Sequence, residues 1–151
     1  MKYMEISREN LRLKSFPNHY IFIYDLSFSV LEDEGGHISC AVNAVCLALI
    51  DAGFPMKYVF AGITCSVIKD KEKTVIALDP DFVRLRRADK IEATVTFVFE
   101  SRKKDILASH ITGKCSEEIY HECLTTSKNA SDKVFQFYRD VIEKKFSKEF
   151  I

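Results

Sequence analysis

Hydrophobic and polar residues alternate along several stretches of the chain, which is the period of β-strands with one buried face. From Tyr20 to Leu31, apolar side chains occupy mainly the even positions, and this predicts one long half-buried strand. Residues 58–68 and 74–78 are β-branched and aromatic runs joined by a charged segment, which predicts a hairpin. Residues 91–100 alternate apolar and polar side chains and lead into residues 106–111, which predicts a second hairpin with one wet face.

Two helices are expected beside these strands. A helix is predicted over residues 41–51, because residues 41–50 are apolar on almost all sides with Asn43 as the one interruption, which is typical of a helix covered by protein. Gly53 and Pro55 are the signals that end it. Residues 116–145 keep a helical period, and the run of Thr, Ser and Asn in residues 125–131 predicts a bend or short break there. The combination predicts an α+β fold.

Composition narrows the class of protein without identifying it. The chain has 151 residues and is 47% hydrophobic, which fits one globular domain. Lysine plus arginine equal aspartate plus glutamate at 22 each, so no overall field attracts nucleic acid or an anionic membrane. Five cysteines, an odd number with three in strongly apolar segments, favour a reducing compartment. Without a signal-peptide pattern or a membrane-span pattern, we expect a soluble intracellular protein.

The junction between the predicted strand 20–31 and the helix 41–51 has the local architecture of an anion site. Gly35 and Gly36 join the two elements, and a helix N-terminus reached through glycines directs backbone N–H groups at one point. No lysine or arginine lies between Lys14 and Lys57, however. Since a phosphate-handling enzyme usually places a cation there, the site lacks the expected charge.

Other chemistry-bearing residues leave alternatives open. Asp79 and Asp81 flank a proline after a strand, where they could hold magnesium or act as general acids, or simply shape a bend. Two basic groups could contact RNA phosphates or be solvated loops: Arg84, Arg86 and Arg87 with Lys90, and Arg102, Lys103 and Lys104 at a hairpin tip. The cysteines and histidines lack paired zinc spacings, so we expect no metal site.

Spaced motifs connect the chain with a known family. Residues 32–36 (EDEGG) and 44–56 (AVCLALIDAGFPM) resemble the acidic-Gly-Gly and A-x-x-x-A-L-x-D-A-G-x-P-M segments of RNase PH-like proteins. Residues 74–80, 94–97 and 133–139 resemble the small non-catalytic RNase PH-like subunit of the eukaryotic exosome ring. The resemblance implies an RNase PH-like fold with a mixed or antiparallel sheet, a buried helix and a long C-terminal helix.

The same resemblance implies that catalysis is absent. Phosphorolytic members carry a Gly-Thr-Arg-Thr type sequence at the glycine turn, and here Gly36, His37, Ile38 and Ser39 stand in its place as a degenerate phosphate site. Ile38 cannot supply the bidentate donor of an arginine. The acidic Asp-Leu-Asp-Tyr-like segment of catalytic members is matched only at its beginning, by residues 79–82. We therefore expect no enzyme activity, no cofactor and no catalytic residues.

The implied role is a scaffold that joins other RNase PH-like exosome subunits in a hetero-oligomeric ring and threads RNA, in the nucleus, nucleolus and cytoplasm. The alternatives are a phosphate-dependent or metal-dependent 3′-to-5′ exoribonuclease and a lone RNA-binding module. The match runs from about residue 28 to residue 148, so we expect residues 1–18 to be a short N-terminal segment and residues 19–151 a partial RNase PH-like domain. Full family members carry a further N-terminal region that residues 1–18 do not resemble, and we expect part of it to be missing here.

Overall fold

The computed structural model describes residues 4–7, 11–16, 19–24, 27–30, 36–70, 73–80 and 90–148. These residues form eight strands and two helices. The strands are β1 (Met4–Ser7), β2 (Leu11–Phe16), β3 (His19–Tyr24), β4 (Ser27–Val30), β5 (Phe60–Asp70), β6 (Lys73–Leu78), β7 (Lys90–Glu100) and β8 (Ile106–Gly113). The helices are α1 (His37–Asp51) and α2 (Glu117–Lys148).

The first four strands form two antiparallel pairs. β1 pairs with β4, and β2 pairs with β3. The prediction of one long strand from Tyr20 to Leu31 is therefore wrong, because β3 and β4 belong to different two-stranded sheets. Alternation of side chains reports the extended backbone of both strands, but it carries no information about which partner each strand chooses.

The remaining strands build one antiparallel sheet in the order β6-β5-β7-β8, and both predicted hairpins are confirmed. β5 is central and pairs along Phe60–Lys69 with β7, while β6 covers only its second half, from Cys65 to Asp70. Among the described strands, none pairs with the other edge of the first half of β5. Helix α1 lies along that part of β5.

Helix α2 packs on one face of this sheet and forms the main core. Buried side chains of β5 and β7, including Cys65, Val67, Phe97 and Phe99, meet Cys123 of α2. The helix starts after Ser116, with Glu117 and Glu118 in its first turn, as the sequence predicts.

The predicted break at residues 125–131 is wrong, because α2 is continuous. Ser127 and Ser131 are fully buried, and the Ser127 hydroxyl lies 3.0 Å from the Cys65 thiol of β5. Thr125 and Ser131 donate their hydroxyls to carbonyls of their own helix, those of His121 and Lys128. Small polar residues here allow close helix–sheet approach and do not interrupt the helix.

Helix α1 begins at His37 after Gly36, which has a left-handed φ of 64°. Gly53 follows its end at φ 66°, which confirms the predicted glycine stop. Of its side chains only Ser39 and Cys46 are buried, and most others are half-buried. Cys46 packs with Ala61, Phe135 and Tyr138 in a second, smaller core where α1, β5 and α2 meet.

Candidate functional site

A cleft of about 290 Å³ lies where the N-terminus of α1 meets the face of the sheet opposite α2. Its residues come from α1, three strands and the end of β6, and most of them carry a hydroxyl or an imidazole. They are Gly36, His37, Ile38, Thr64, Ser66, Pro80, Thr94, Thr96, His110 and Thr112. The degenerate phosphate segment predicted from the sequence thus lies at a real concavity, with Gly36, His37 and Ile38 on its wall and Ser39 buried behind them.

The floor of the cleft is a chain of hydroxyl groups. Ser39 Oγ donates to the Gly36 carbonyl at 2.9 Å, and Thr64 Oγ1 donates to Ser39 Oγ at 2.9 Å. Thr96 Oγ1 lies 2.9 Å from Thr64 Oγ1. Because a threonine has one hydroxyl proton and that of Thr64 is already used, Thr96 donates to Thr64. The three hydroxyls all donate in the direction of the Gly36 carbonyl, so the floor presents hydroxyl lone pairs to a ligand and not O–H donors.

The charges at the cleft are also unfavourable for phosphate. Among the residues that line it in the described part of the chain there is no lysine, arginine, aspartate or glutamate. Ile38 is half-buried on the wall beside the first turn of α1. The N-terminus of α1 lies at this wall, so the positive end of the helix dipole is the anion-attracting element of the cleft.

Sequence reasoning missed the strand residues of the cleft. The sequence predicts Thr94 and Thr96 on a wet face of β7, yet Thr96 is only 4% exposed, and its hydroxyl lies against that of Thr64. Glu100, on the same expected face, is also buried. Thr64 and Ser66 alternate with apolar residues of β5, and that polar alternation in a strongly apolar strand was the signal available.

The acidic pair is only partly described. The Asp79 N–H donates to the Thr64 carbonyl at 2.8 Å, which ends β6 beside the cleft and places Pro80 on its wall. Asp79 has a φ of 40°, in the left-handed region. Asp81, Arg84, Arg86 and Arg87 lie outside the described residues, so their predicted roles stay predictions.

The basic hairpin tip between β7 and β8 is organised by Glu100. Its carboxylate accepts the backbone N–H of Arg102 at 2.8 Å and that of Lys103. Burial alone would raise the pKa of Glu100, but the backbone N–H groups of the turn outweigh it and lower the pKa. Lys104 pairs with Asp132 of α2 at 2.7 Å, and Arg102 and Lys103 are exposed cations at the same tip.

The thiols behave as core residues. Burial raises the pKa of Cys46 and Cys65, and burial raises the pKa of Cys123 to about 12. These shifts disfavour the thiolate, which is the nucleophilic form. Within residues 36–70, 73–80 and 90–148, no group of three potential metal-ligating side chains comes together. No helix of the described part is long and apolar enough to cross a bilayer.

Comparison with known proteins supports the family resemblance. No protein-family model matches the chain. The exosome complex exonuclease RRP46 homolog of Oryza sativa subsp. japonica is 27% identical in an alignment 131 residues long, which covers 76% of this chain and 52% of that protein. The Arabidopsis thaliana homolog of the same name is 28% identical in an alignment 136 residues long, which covers 79% of this chain and 54% of that protein. The crystal structure of rice Rrp46 superimposes with a TM-score of 0.71 at 29% identity, over 83% of this chain and 57% of that chain.

The fold is RNase PH-like. A second solved structure, the cell-death-related nuclease 5 of C. elegans, has a TM-score of 0.68 at 21% identity over 82% of this chain and 64% of that chain, which bears on the fold alone. The chain spans about half the length of the curated relatives it matches. The α+β fold predicted from the motifs is confirmed.

Proposed function

We propose that this RNase PH-like chain is a non-catalytic structural subunit of the RNA exosome ring. It would pair with other RNase PH-like subunits and support 3′-to-5′ RNA processing and degradation, including rRNA maturation and mRNA turnover. Similarity to exosome subunits supports the membership. The observation that carries the non-catalytic role is the cleft at α1, where an isoleucine occupies the wall and hydroxyl protons are consumed within the floor.

Phosphorolysis needs inorganic phosphate to be held and its charge balanced. An arginine would supply two parallel N–H donors and a permanent charge, and Ile38 supplies neither. Removing one preorganised donor from such a site typically lowers the rate about a hundredfold or more. The polar side chains of the cleft are compatible with a contact to RNA that passes by. They do not support phosphorolysis of that RNA.

The test has two parts. Tagged chain isolated from its own cells should bring down other RNase PH-like subunits, and purified chain with labelled RNA and phosphate should release no nucleoside diphosphate. Isolation without any RNase PH-like partner would argue against ring membership. Phosphate-dependent release of nucleoside diphosphate would argue against the inert role. Fluorescence imaging in the same cells tests the proposed nuclear, nucleolar and cytoplasmic distribution.

A second candidate is a 3′-to-5′ exoribonuclease, dependent on phosphate or metal. Asp79 directly precedes Pro80 on the cleft wall, so one carboxylate-bearing residue is close to the site. One similar protein is named an exosome complex exonuclease homolog, and another is named a cell-death-related nuclease. Assays with magnesium or phosphate on the wild type and on an Asp79→Asn, Asp81→Asn double variant distinguish this candidate: activity that the double variant loses would favour the enzyme.

A further inference from the structure

Two buried thiols meet where α2 crosses the central strand of the sheet. Cys65 of β5 and Cys123 of α2 are both fully buried, and they lie 58 positions apart along the chain. The Cys65 thiol donates to the Cys123 carbonyl, with 3.7 Å between the sulfur and the oxygen. The two thiols also hydrogen-bond with each other. The sulfur of Cys65 therefore contacts both the backbone and the side chain of Cys123.

Small side chains on α2 permit this close approach. Cys123, Ser127 and Ser131 follow one another at intervals of four residues, and all three are fully buried. Because residues four apart lie on the same face of a helix, they form one narrow strip of small residues beside Cys65. A disulfide joins Cβ atoms about 3.5–4.5 Å apart, so a helix and a strand can form one only where the side chains between them are this small.

Ser127 distinguishes the two thiols chemically. Its Oγ lies 3.0 Å from the Cys65 sulfur, and the single proton of that thiol is directed at the Cys123 carbonyl, so Ser127 donates to the sulfur. Burial raises the pKa of the Cys65 thiol, and hydrogen bonds from Ser127 and Cys123 oppose that rise. Burial also raises the pKa of Cys123, and the charge of an ionised Cys65 raises it further. Cys65 is therefore the better nucleophile of the two.

We propose that Cys65 and Cys123 form a redox-sensitive latch, in which oxidation by a peroxide joins them in a disulfide that fixes α2 to β5. The Cys65 thiolate attacks one oxygen of hydrogen peroxide, the O–O bond breaks, and hydroxide leaves and takes up a proton to become water. Cys65 is then a sulfenic acid. The Cys123 thiol attacks its sulfur, the S–S bond forms, and the sulfenic hydroxyl leaves as a second water. The two thiols together lose two electrons and two protons, which reduce the peroxide.

Burial determines how fast the latch closes. Neither thiol is exposed, so peroxide reaches them only when α2 lifts locally from the sheet. Closure is therefore slower than oxidation of the half-buried Cys40 and Cys115. Once formed, the disulfide restricts the unfolded chain through a long loop and stabilises the folded state. The latch lies wholly within the described core, and its closure does not depend on ring membership.

Oxidation of the purified chain with hydrogen peroxide, followed by peptide mapping without reductant, tests the latch. The chain carries Cys40→Ser and Cys115→Ser, so that the half-buried thiols form no cross-links of their own. We expect a pair of peptides joined through Cys65 and Cys123, which a reductant separates. The oxidised chain should melt about 5 °C or more above the reduced chain. Cys46→Ser removes the buried thiol of the smaller core and should leave the cross-link unchanged.

Two serine variants separate this chemistry from simple opening of the core. Ser127→Ala keeps both thiols and removes the donor to Cys65, so it should slow cross-linking at least about threefold at limiting peroxide. Ser131→Ala is the matched control, because its hydroxyl is equally buried and donates to a carbonyl of its own helix, and it should not slow the reaction. Equal slowing in both variants would overturn the latch. So would thiols that stay reduced in excess peroxide, or that reach sulfinic acid or join another cysteine without forming the Cys65–Cys123 bond.

Discussion

The Asn43 amide binds both backbone groups of Gly62. Its Nδ2 donates to the Gly62 carbonyl at 2.9 Å, and its Oδ1 accepts the Gly62 N–H at 2.7 Å. The Tyr138 hydroxyl of α2 donates to the same Oδ1 at 2.8 Å. One side chain of α1 therefore acts as the missing strand partner on the uncovered half of β5, and it links both helices to the sheet beside the cleft.

Replacing Asn43 by alanine should strongly destabilise the fold. Gly62 is buried, and the substitution leaves its N–H and C=O groups without their partners, as well as the Tyr138 hydroxyl. Since an unpaired buried polar group costs about 1–3 kcal/mol, we expect a loss of about 3 kcal/mol in the free energy of unfolding. Urea denaturation measures it. The control Gln136→Ala, which breaks an exposed bond to Asp140, should change this free energy by less than about 0.5 kcal/mol.

The close approach of α1 to β5 requires glycine at position 62. A Cβ there would lie 3.1 Å from Ser39 Cα and 3.2 Å from Val42 Cβ, so Gly62→Ala requires the start of α1 to shift by a few tenths of an ångström. We expect a cost of about 1–3 kcal/mol and a distorted cleft. Gly53→Ala provides the comparison, because a Cβ there meets no atom within 4 Å and only its φ of 66° is strained. Equal NMR shifts at Thr64 and Thr96 in the two variants would contradict this view.

Ile38→Arg should restore phosphate binding without restoring catalysis. A guanidinium on the cleft wall adds the missing charge and two donors, and we expect phosphate affinity to rise at least about tenfold. Isothermal titration or NMR with inorganic phosphate measures the change. Ile38→Lys, with a single point charge, should give a smaller gain. If neither variant binds phosphate more tightly than wild type, the lack of a cation is not what prevents binding at this cleft.

Glu100 should stabilise the fold in a pH-dependent way. The pKa of Glu100 is lowered in the folded state, so the unfolded chain binds a proton first as the pH falls. The stabilisation that is present at neutral pH is therefore lost as the pH falls through about 4.5 and below. Glu100→Gln should be less stable at pH 7, because the amide lacks the charge that the turn N–H groups bind. Thermal melts across pH should show the difference between the two proteins closing in acid, and a constant difference would refute the assignment.

The buried thiols should make the fold less stable at alkaline pH, whereas Glu100 makes it less stable in acid. An unfolded cysteine ionises near 9, whereas burial raises the pKa of Cys123 to about 12. The unfolded chain therefore loses protons first, and the free energy of unfolding should fall as pH rises from about 9 toward 12. In the native state Cys40 and Cys115, which are half-buried, should react with a thiol reagent before Cys46, Cys65 and Cys123. Simultaneous reaction of all five would show that the core opens readily.

Local patterns in the sequence determined much of this architecture. The alternation in β5–β8, the glycine after α1 and the acidic first turn of α2 are short-range properties, because backbone conformation and side-chain periodicity depend on neighbouring residues. The spaced motifs around Gly36 and Gly53 indicated the RNase PH-like family, and they located one wall of the cleft through Ile38.

Only the tertiary structure decided what those elements do together. In the sequence Asn43 is an interruption of an apolar helix. Its partner Gly62 is 19 residues away along the chain, and only the folded structure brings the two together. The Thr64 and Thr96 hydroxyls, 32 residues apart, form the cleft floor only because β5 and β7 are neighbours. The local propensity of Ser127 and Ser131 favours a break in α2, yet both side chains are buried and the helix is continuous. Contacts between distant residues follow from strand order and packing, and neither can be read from the period of a single segment.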